Sequence, residues 1–474
     1  MKVGKVLFSL LLTVLIVLIL RYLFYSSKDL FDKNNSNFGN HNESVPEEQF
    51  TEVTQFFAAV TSFSNERNEI TLTELKTGKL LIRKDKEADT KKVLRIVNGD
   101  FEFLSKEEII QKLLNQENEI AILPLTDIDF RLKTLKIDGL DIWDKNTDSK
   151  KYPLQIVARL SKKEYAEVFT FNPQKLNRIT AAGEIIMARG VAERIEKYHD
   201  VLYPFRKIKD LFTNSDLQIA TLEIPFSSSC NYCDSCMVFC AKPEYFEGLN
   251  YMGFDGVSLA ANHIKDYGEE GIMETIELLD QNQILHTGAG INIDKARQPW
   301  IKEINGIKFG FLGYNDVVPT TYAATENSSG SAWANIDEIV TDIKALKPQV
   351  DVVVIFAHWG IEYTNIPSER QKEIAHTAID AGADLIIGDH PHWVQGVEIY
   401  HDKFITYGIG NFVFDQMWSE ETRQGSIMDF DFYENRLVSI AIKPTVIDDY
   451  AQPRLANETE GKTILNRIWE GSSF

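Results

Sequence analysis

IIGDHPHWVQ, residues 386–395, sets two histidines around a proline where an apolar run ends in Gly-Asp. Only nine histidines occur in 474 residues, so a pair at the end of a strand-like run is informative. The run reads as a buried strand. Proline at 391 fixes its own φ and biases the residue before it toward extended backbone, so His390 is expected extended, with both imidazoles on a stiff turn. Outward from this stretch the same pattern recurs. RITAAGE (178–184), DLQIATLE (216–223), FDGVSLAANH (254–263), KFGFLGYND (308–316), DVVVIFAHWG (351–360) and DLIIGDHPH (384–392) are short β-type runs that end in Gly, a carboxylate, Asn or His. Between them lie helical patterns such as GEEGIMETIELLDQNQ (268–283) and SERQKEIAHTAIDAG (368–382), of the length that crosses over between strands. In such α/β sheets the carboxyl ends of the strands share one edge, where ligand sites are built.

Seven polar side chains follow these runs within a few residues: Glu184, Glu223, Asn262, His263, His358, His390 and His392. One histidine after a strand is usually an ordinary residue; seven such groups on one edge form a constellation. Imidazole, carboxylate and amide oxygen together suit two divalent transition ions, manganese, iron or zinc, and are too nitrogen-rich for a calcium or magnesium cage. A pair of such ions activates water and clamps the oxygens of a phosphoryl displacement. His263, next to Asn262, is placed as a general acid or transition-state stabiliser; the plainer reading is that both residues close a turn.

The remaining features bound the setting. Seventy acidic against fifty basic residues give a net charge of −20, which repels phosphate backbones and excludes nucleic acid as a partner. Lys2 and Lys5 precede an uncharged apolar run from Val6 to Leu20. It is shorter than the roughly 20 residues a spanning helix needs, but Arg21 can snorkel and Tyr22 to Tyr25 form an interfacial aromatic belt. No A-x-A cleavage site follows, so residues 1–28 read as an uncleaved signal anchor, single-pass in the cell membrane, with the bulk of the chain extracytoplasmic. Residues 29–47, rich in Asn and Ser, read as a flexible linker. Residues 48–174 carry mixed patterns such as KEEIIQKLLNQ (106–116) and EIAILPLT (119–126). They read as a smaller α/β domain of unknown role, a spacer or docking module; it also resembles one lobe of an extracytoplasmic solute-binding protein. Cys230, Cys233, Cys236 and Cys240 have the spacing of an iron–sulfur run, but Ala241 stands where proline is expected and the compartment is oxidising. Two disulfides stapling a loop are the preferred reading, structural zinc and a cluster being the others; spacing alone leaves the pairing open.

Six ordered segments then resemble a family: GEIIMAR (183–189), TLEIPF (221–226), SLAANHIKDYGEEG (258–271), AHWGIEY (357–363), GADLIIGDHPHWVQGVE (382–398) and YGIGNFVFD (407–415). Residues 175–474 are similar to the CapA family of poly-γ-glutamate capsule proteins, a branch of the calcineurin-like metallophosphoesterases. The resemblance implies a four-layer αββα sandwich with a dimetal site at its loop edge. It implies Glu184, Glu223, Asn262, His358, His390 and His392 as metal ligands, His263 as a catalytic group, and Arg189 meeting an anionic substrate. Glu184 departs from the family, which has Asp there, by one methylene, and Thr221 stands where it has Asn. Asp389 occupies a variable position and is expected at most to support a ligand.

Two functions compete. One is a membrane-anchored, metal-dependent hydrolase of phosphoesters acting in synthesis, anchoring or export of a capsule polymer. The other is a non-catalytic accessory to capsule synthesis and export machinery that uses metal to hold an anionic polymer. A third reading, a solute or adhesion receptor, would rest on residues 48–174.

Overall fold

The computed structural model describes residues 50–473 apart from 66, 117, 162–168, 232, 234 and 235. The expected signal anchor and linker lie outside the described residues. Among the described residues no helix is long and apolar enough to cross a membrane. Val53–Ala158 with Val168–Phe474 form one compact unit; the other unit, Met1–Glu52 with Arg159–Glu167, falls almost wholly outside the described residues.

The N-terminal part holds a six-stranded sheet. Its strands are β1 (Phe50–Ser62), β2 (Lys79–Arg83), β3 (Asp100–Leu104), β4 (Ala121–Pro124), β5 (Leu132–Thr134) and β6 (Gln155–Ser161). The order is β3-β2-β4-β1-β5, with β6 on β1. Helices α1 (Leu72–Thr77), α2 (Glu87–Leu94) and α3 (Lys106–Asn115) contribute Leu75, Val93, Leu94, Ile109 and Leu113 to the core beneath it. Ser105 and Glu108 close a capping box at the start of α3, satisfying amides that the first helical turn leaves unpaired.

Two more sheets follow, of eight and six strands. The first contains β7 (Leu176–Ile185), β8 (Leu217–Leu222), β9 (Gly256–Ser258) and β10 (Leu285–Thr287), with helices α4 (Arg189–Tyr198), α5 (Glu247–Met252) and α6 (Gly268–Gln281) between its strands. The second contains β11 (Trp300–Ile304), β12 (Ile307–Asn315), β13 (Val352–His358), β14 (Leu385–Asp389), β15 (Val397–Tyr400) and β16 (Lys403–Thr406), with α7 (Ile336–Leu346) before β13 and α8 (Glu369–Ala381) before β14. The chain then returns to the first sheet with β17 (Asn411–Val413), β18 (Gln424–Tyr433), β19 (Arg436–Asp448) and β20 (Gln452–Leu455), and ends in α9 (Glu458–Glu470). The orders are β10-β9-β8-β7-β18-β19-β20, with β17 beside β7, and β11-β12-β13-β14-β16-β15. β7 to β10 are mutually parallel, as are β12, β13, β14 and β16.

The packing follows from which residues alternate inward. Ile179, Ala181, Leu217 and Ile219 of the first sheet share a core with Phe309, Val352, Val354, Leu385 and Ile387 of the second, so the sheets lie face to face. On its other face the first sheet packs Leu222 and Val257 against Val191, Ile195, Ile272 and Leu279 of α4 and α6. The second sheet packs Val353, Ile355 and Ile386 against Ile339, Ile343, Ala375 and Ala378 of α7 and α8. These layers run helix, sheet, sheet, helix. Strands such as β13, buried along their whole length, read as continuous apolar runs because both faces are covered.

The N-terminal core does not stop at residue 174. It takes in Leu176 at the start of β7, Tyr433 at the end of β18 and Val438 of β19. Close backbone approach marks the path between β7 and β17: a Cβ on Gly183 would lie 1.9 Å from the carbonyl oxygen of Gly410, and Gly410 itself has φ +75°, which glycine adopts without steric cost.

Candidate metal centre

Strand registers assemble the centre. Thr221 and Asn411 both pair with Glu184 across parallel ladders, and His358 pairs with Asp389. Glu184 sits near the end of β7, Glu223 one residue past β8, Asn262 and His263 in the turn after β9, His358 and Asp389 at the ends of β13 and β14, and His390 and His392 just beyond. Glu184, Glu223, His358, His390 and His392 are each at most 4% exposed; Asn262 and His263 are half-buried.

The two sheets are joined through these groups. Glu184 Oε1 accepts from the backbone N–H of His390, and its Oε2 lies 2.6 Å from His392 Nδ1, which also meets Asn411 Oδ1 at 2.9 Å. Thr221 Oγ1 donates to Asp389 Oδ2. Asp389 Oδ1 lies 2.6 Å from His358 Nδ1, and His358 Nε2 faces Asn262 Oδ1 at 2.8 Å. When His358 donates from Nδ1 to Asp389, its Nε2 carries only a lone pair, and Nε2 and Asn262 Oδ1 are then both electron-pair donors open to a cation.

His390 does not take the extended backbone expected before proline. Its φ is +88°, and that of His392 is +58°. Such conformations cost about 1–3 kcal/mol each in a non-glycine residue. The turn is held by buried hydrogen bonds that an extended His390 would forgo: its own N–H to Glu184, and the Tyr363 N–H to Pro391 O at 2.9 Å.

The electrostatics are those of a carboxylate cluster without enough cations. Burial, then the Glu184 charge, pushes the Glu223 carboxyl well above its usual range, and the same causes act on Asp389. Burial would raise Glu184 too, but the His392 charge and hydrogen bond prevail and hold it low. His392 is desolvated yet raised to about 10 by Glu184, whereas burial lowers His358 to about 3 and His390 well below the usual imidazole value. His358 and His390 are thus neutral, the form in which imidazole takes a metal ion.

Whether these residues fit a metal can be tested on atoms that lack partners. Both carboxylate oxygens of Glu223 and Nδ1 of His390 are buried with no hydrogen-bond partner among the described residues. Orphaned buried polar atoms of this kind are rare and costly; divalent cations bound beside them would satisfy all three. Three triads have donor atoms within 4.8 Å of one another: Glu184, Glu223 and His392; Glu184, His358 and Asp389; and Glu362, His390 and His392. The donor set therefore fits divalent transition metal. Glu362, in the loop after β13, was not singled out from the sequence, because it lies four residues beyond the strand. Its place inside AHWGIEY was the available signal.

The catalytic candidates are His263 and Arg189. His263 Nδ1 is 2.7 Å from Asp266 Oδ2, which also accepts from the Phe239 N–H. The Phe239 ring lies 4.4 Å from that of His263. Arg189, the first residue of α4, is paired with Asp415 and sandwiched between Phe239 and Phe414 at 4.9 and 5.0 Å; its Nε is buried without a partner. Phe239 belongs to the cysteine segment, which is closed by Cys230–Cys240 and Cys233–Cys236 disulfides. The staples thus lie beside the centre and carry a ring that packs on two of its members.

Fold and centre together define a mixed α/β protein with a buried carboxylate–imidazole site suited to divalent metal. The chain belongs to the bacterial capsule synthesis protein family PGA_cap, whose pattern matches residues 178–416. It is 31% identical over 303 residues to the capsule biosynthesis protein CapA of Bacillus anthracis, covering 62% of this chain and 73% of that one. It is 30% identical over 317 residues to the PGA biosynthesis protein CapA of Bacillus subtilis, covering 66% and 83%. Among solved structures, a 5'-nucleotidase precursor from Thermus thermophilus is similar at a TM-score of 0.37 and 9% identity, over 62% of this chain and 58% of that one.

Proposed function

We propose that this protein is a metal-dependent hydrolase of phosphoester type, anchored by residues 1–28 with its body outside the cytoplasm, that acts in making, anchoring or exporting an anionic capsule polymer such as poly-γ-glutamate. The observation that carries the proposal is Glu223, a fully buried carboxylate whose oxygens have no hydrogen-bond partner among the described residues and whose donor atom lies within 4.8 Å of those of Glu184 and His392. Two divalent ions in this donor set would polarise a phosphoryl oxygen and activate water. Glu184, Glu223, Asn262, His358, His390 and His392 would hold them, with Asp389 orienting His358. His263, its Nδ1 fixed by Asp266, keeps Nε2 to hand a proton to a leaving oxygen. Arg189 orients the anion, and its charge matters because a surface at −20 repels a polyanion.

A second reading, a non-catalytic accessory that holds polymer carboxylates through the bound ion, draws on Glu184. Its oxygens are both taken up by the His390 amide and His392, and it stands in place of the family's Asp.

Full-length protein in detergent, measured for bound manganese, iron and zinc and assayed on phosphomonoester and phosphodiester substrates beside Glu184→Asp, separates these readings. Metal with hydrolysis supports the enzyme. Metal without hydrolysis, with or without a gain in Glu184→Asp, supports the accessory, and absence of metal overturns both.

A further inference from the structure

Glu362 lies in the loop that leaves β13. Gly360, at φ +92°, starts the reversal, and the Tyr363 N–H closes it onto Pro391 O at 2.9 Å. That bond ties the residue after Glu362 to the proline between His390 and His392. The Tyr363 ring also stacks on the His392 ring, 6.2 Å away at 27°. Glu362 is therefore carried by a segment fastened to the histidine turn, not by a free loop.

We propose that Glu362 is a metal ligand, forming with His390 and His392 a further three-donor position for a divalent transition ion beside the one built from Glu184, Glu223 and His392. The inference rests on the metal-binding reading above. Three observations support it. The donor atoms of the triad lie within 4.8 Å of one another, and ligands about 2.0–2.2 Å from one ion are separated by about 3–4 Å. His390 is 3% exposed with an unpartnered Nδ1, a buried donor atom that no protein group meets. Charge also balances: Glu184, Glu223, Asp389 and Glu362 are the four carboxylates of the three triads, and four negative charges match two divalent cations.

His392 belongs to both positions, so the two ions would be neighbours and Glu362 would close the pair on the side facing the loop. Without it, the position next to His390 has imidazoles but no carboxylate beyond those serving the other ion.

The test is titration of full-length, chelator-stripped protein in detergent with manganese alone, followed by calorimetry and by metal content after desalting, for wild type, Glu362→Gln, Glu362→Asp and Glu223→Gln. The expected result is that Glu362→Gln loses one ion per chain or weakens one class of site tenfold or more, that Glu362→Asp falls between it and wild type, and that the circular dichroism of all is unchanged. Wild-type stoichiometry and affinity in Glu362→Gln, with Glu223→Gln impaired, overturns the role of Glu362 and leaves the metal centre standing. A wild type that takes up no manganese overturns the metal centre itself, and the ligand role with it. Should Glu362→Gln not fold, wild-type binding by Glu362→Asp, whose shorter arm retracts the carboxylate, overturns the assignment.

Discussion

Glu223 shows most plainly what binding demands of a single side chain. A carboxyl group buried from solvent with neither oxygen bonded among the described residues is a liability to the metal-free chain and an asset only when a cation arrives. Glu223→Leu is therefore expected to raise the stability of chelator-stripped protein by about 1–3 kcal/mol while lowering metal uptake by at least one ion per chain. Urea unfolding with and without manganese measures both. A loss of stability in the stripped variant would mean that the carboxyl is satisfied by groups other than an ion. Glu223 was legible in the sequence because it directly follows a strand run, as were His358 and the His390–His392 pair. The backbone of His390 was not: the local rule for residues before proline points to extended φ, and hydrogen bonds with the distant Glu184 and Tyr363 hold the other conformation. Glu362 escaped notice for a related reason, since its neighbours in space are brought to it by a loop–loop hydrogen bond.

At the scale of elements, the spacing of the cysteine segment reads as a staple but leaves its pairing open, and the fold supplies the pairing. The base of the loop is a short ladder, Ser227 N to Ala241 O and Ala241 N to Pro225 O, both 2.9 Å. Within it, Cys230–Cys240 spans ten residues. Closing a loop of that size is worth about 2–3 kcal/mol. Replacing both Cys230 and Cys240 by serine should cost that much and also loosen Phe239 against His263 and Arg189. The expected signature is a lower melting temperature together with a change in the His263 ring resonances. Lowered stability with His263 unmoved would restrict the staple to a structural part. Helices were readable where both ends announced themselves: Ser368 and Gln371 form a capping box at the start of α8. The insertion of β17 beside β7 was not, because three residues arriving from the far sheet carry no local pattern that names their partner.

For the whole molecule, the sequence boundary at residue 174 follows the point where chemical motifs begin, and the hydrophobic core ignores it. Leu176, Tyr433 and Val438 are buried among N-terminal side chains, and Arg436 donates to the carbonyls of Thr126 and Leu125. Heating should therefore unfold Val53–Ala158 and Val168–Phe474 in a single calorimetric transition, and a chain begun at residue 175 should melt at least several degrees lower. Two well-separated transitions would show that the parts are energetically independent. The strand runs that build the centre were readable as continuous apolar stretches because both of their faces are covered; which faces meet was not, since that depends on register between segments far apart in the chain.

The contact between Gly183 and the Gly410 carbonyl has a bearing on how this centre can change. With no room for the strand to retreat, the difference between aspartate and glutamate at 184 cannot be absorbed by sliding the backbone; it has to be taken up by the histidine turn opposite. Evolution, or a protein engineer, is free to vary the length of the arm at that position only in step with residues 390 to 392, so those two places should be altered as a pair.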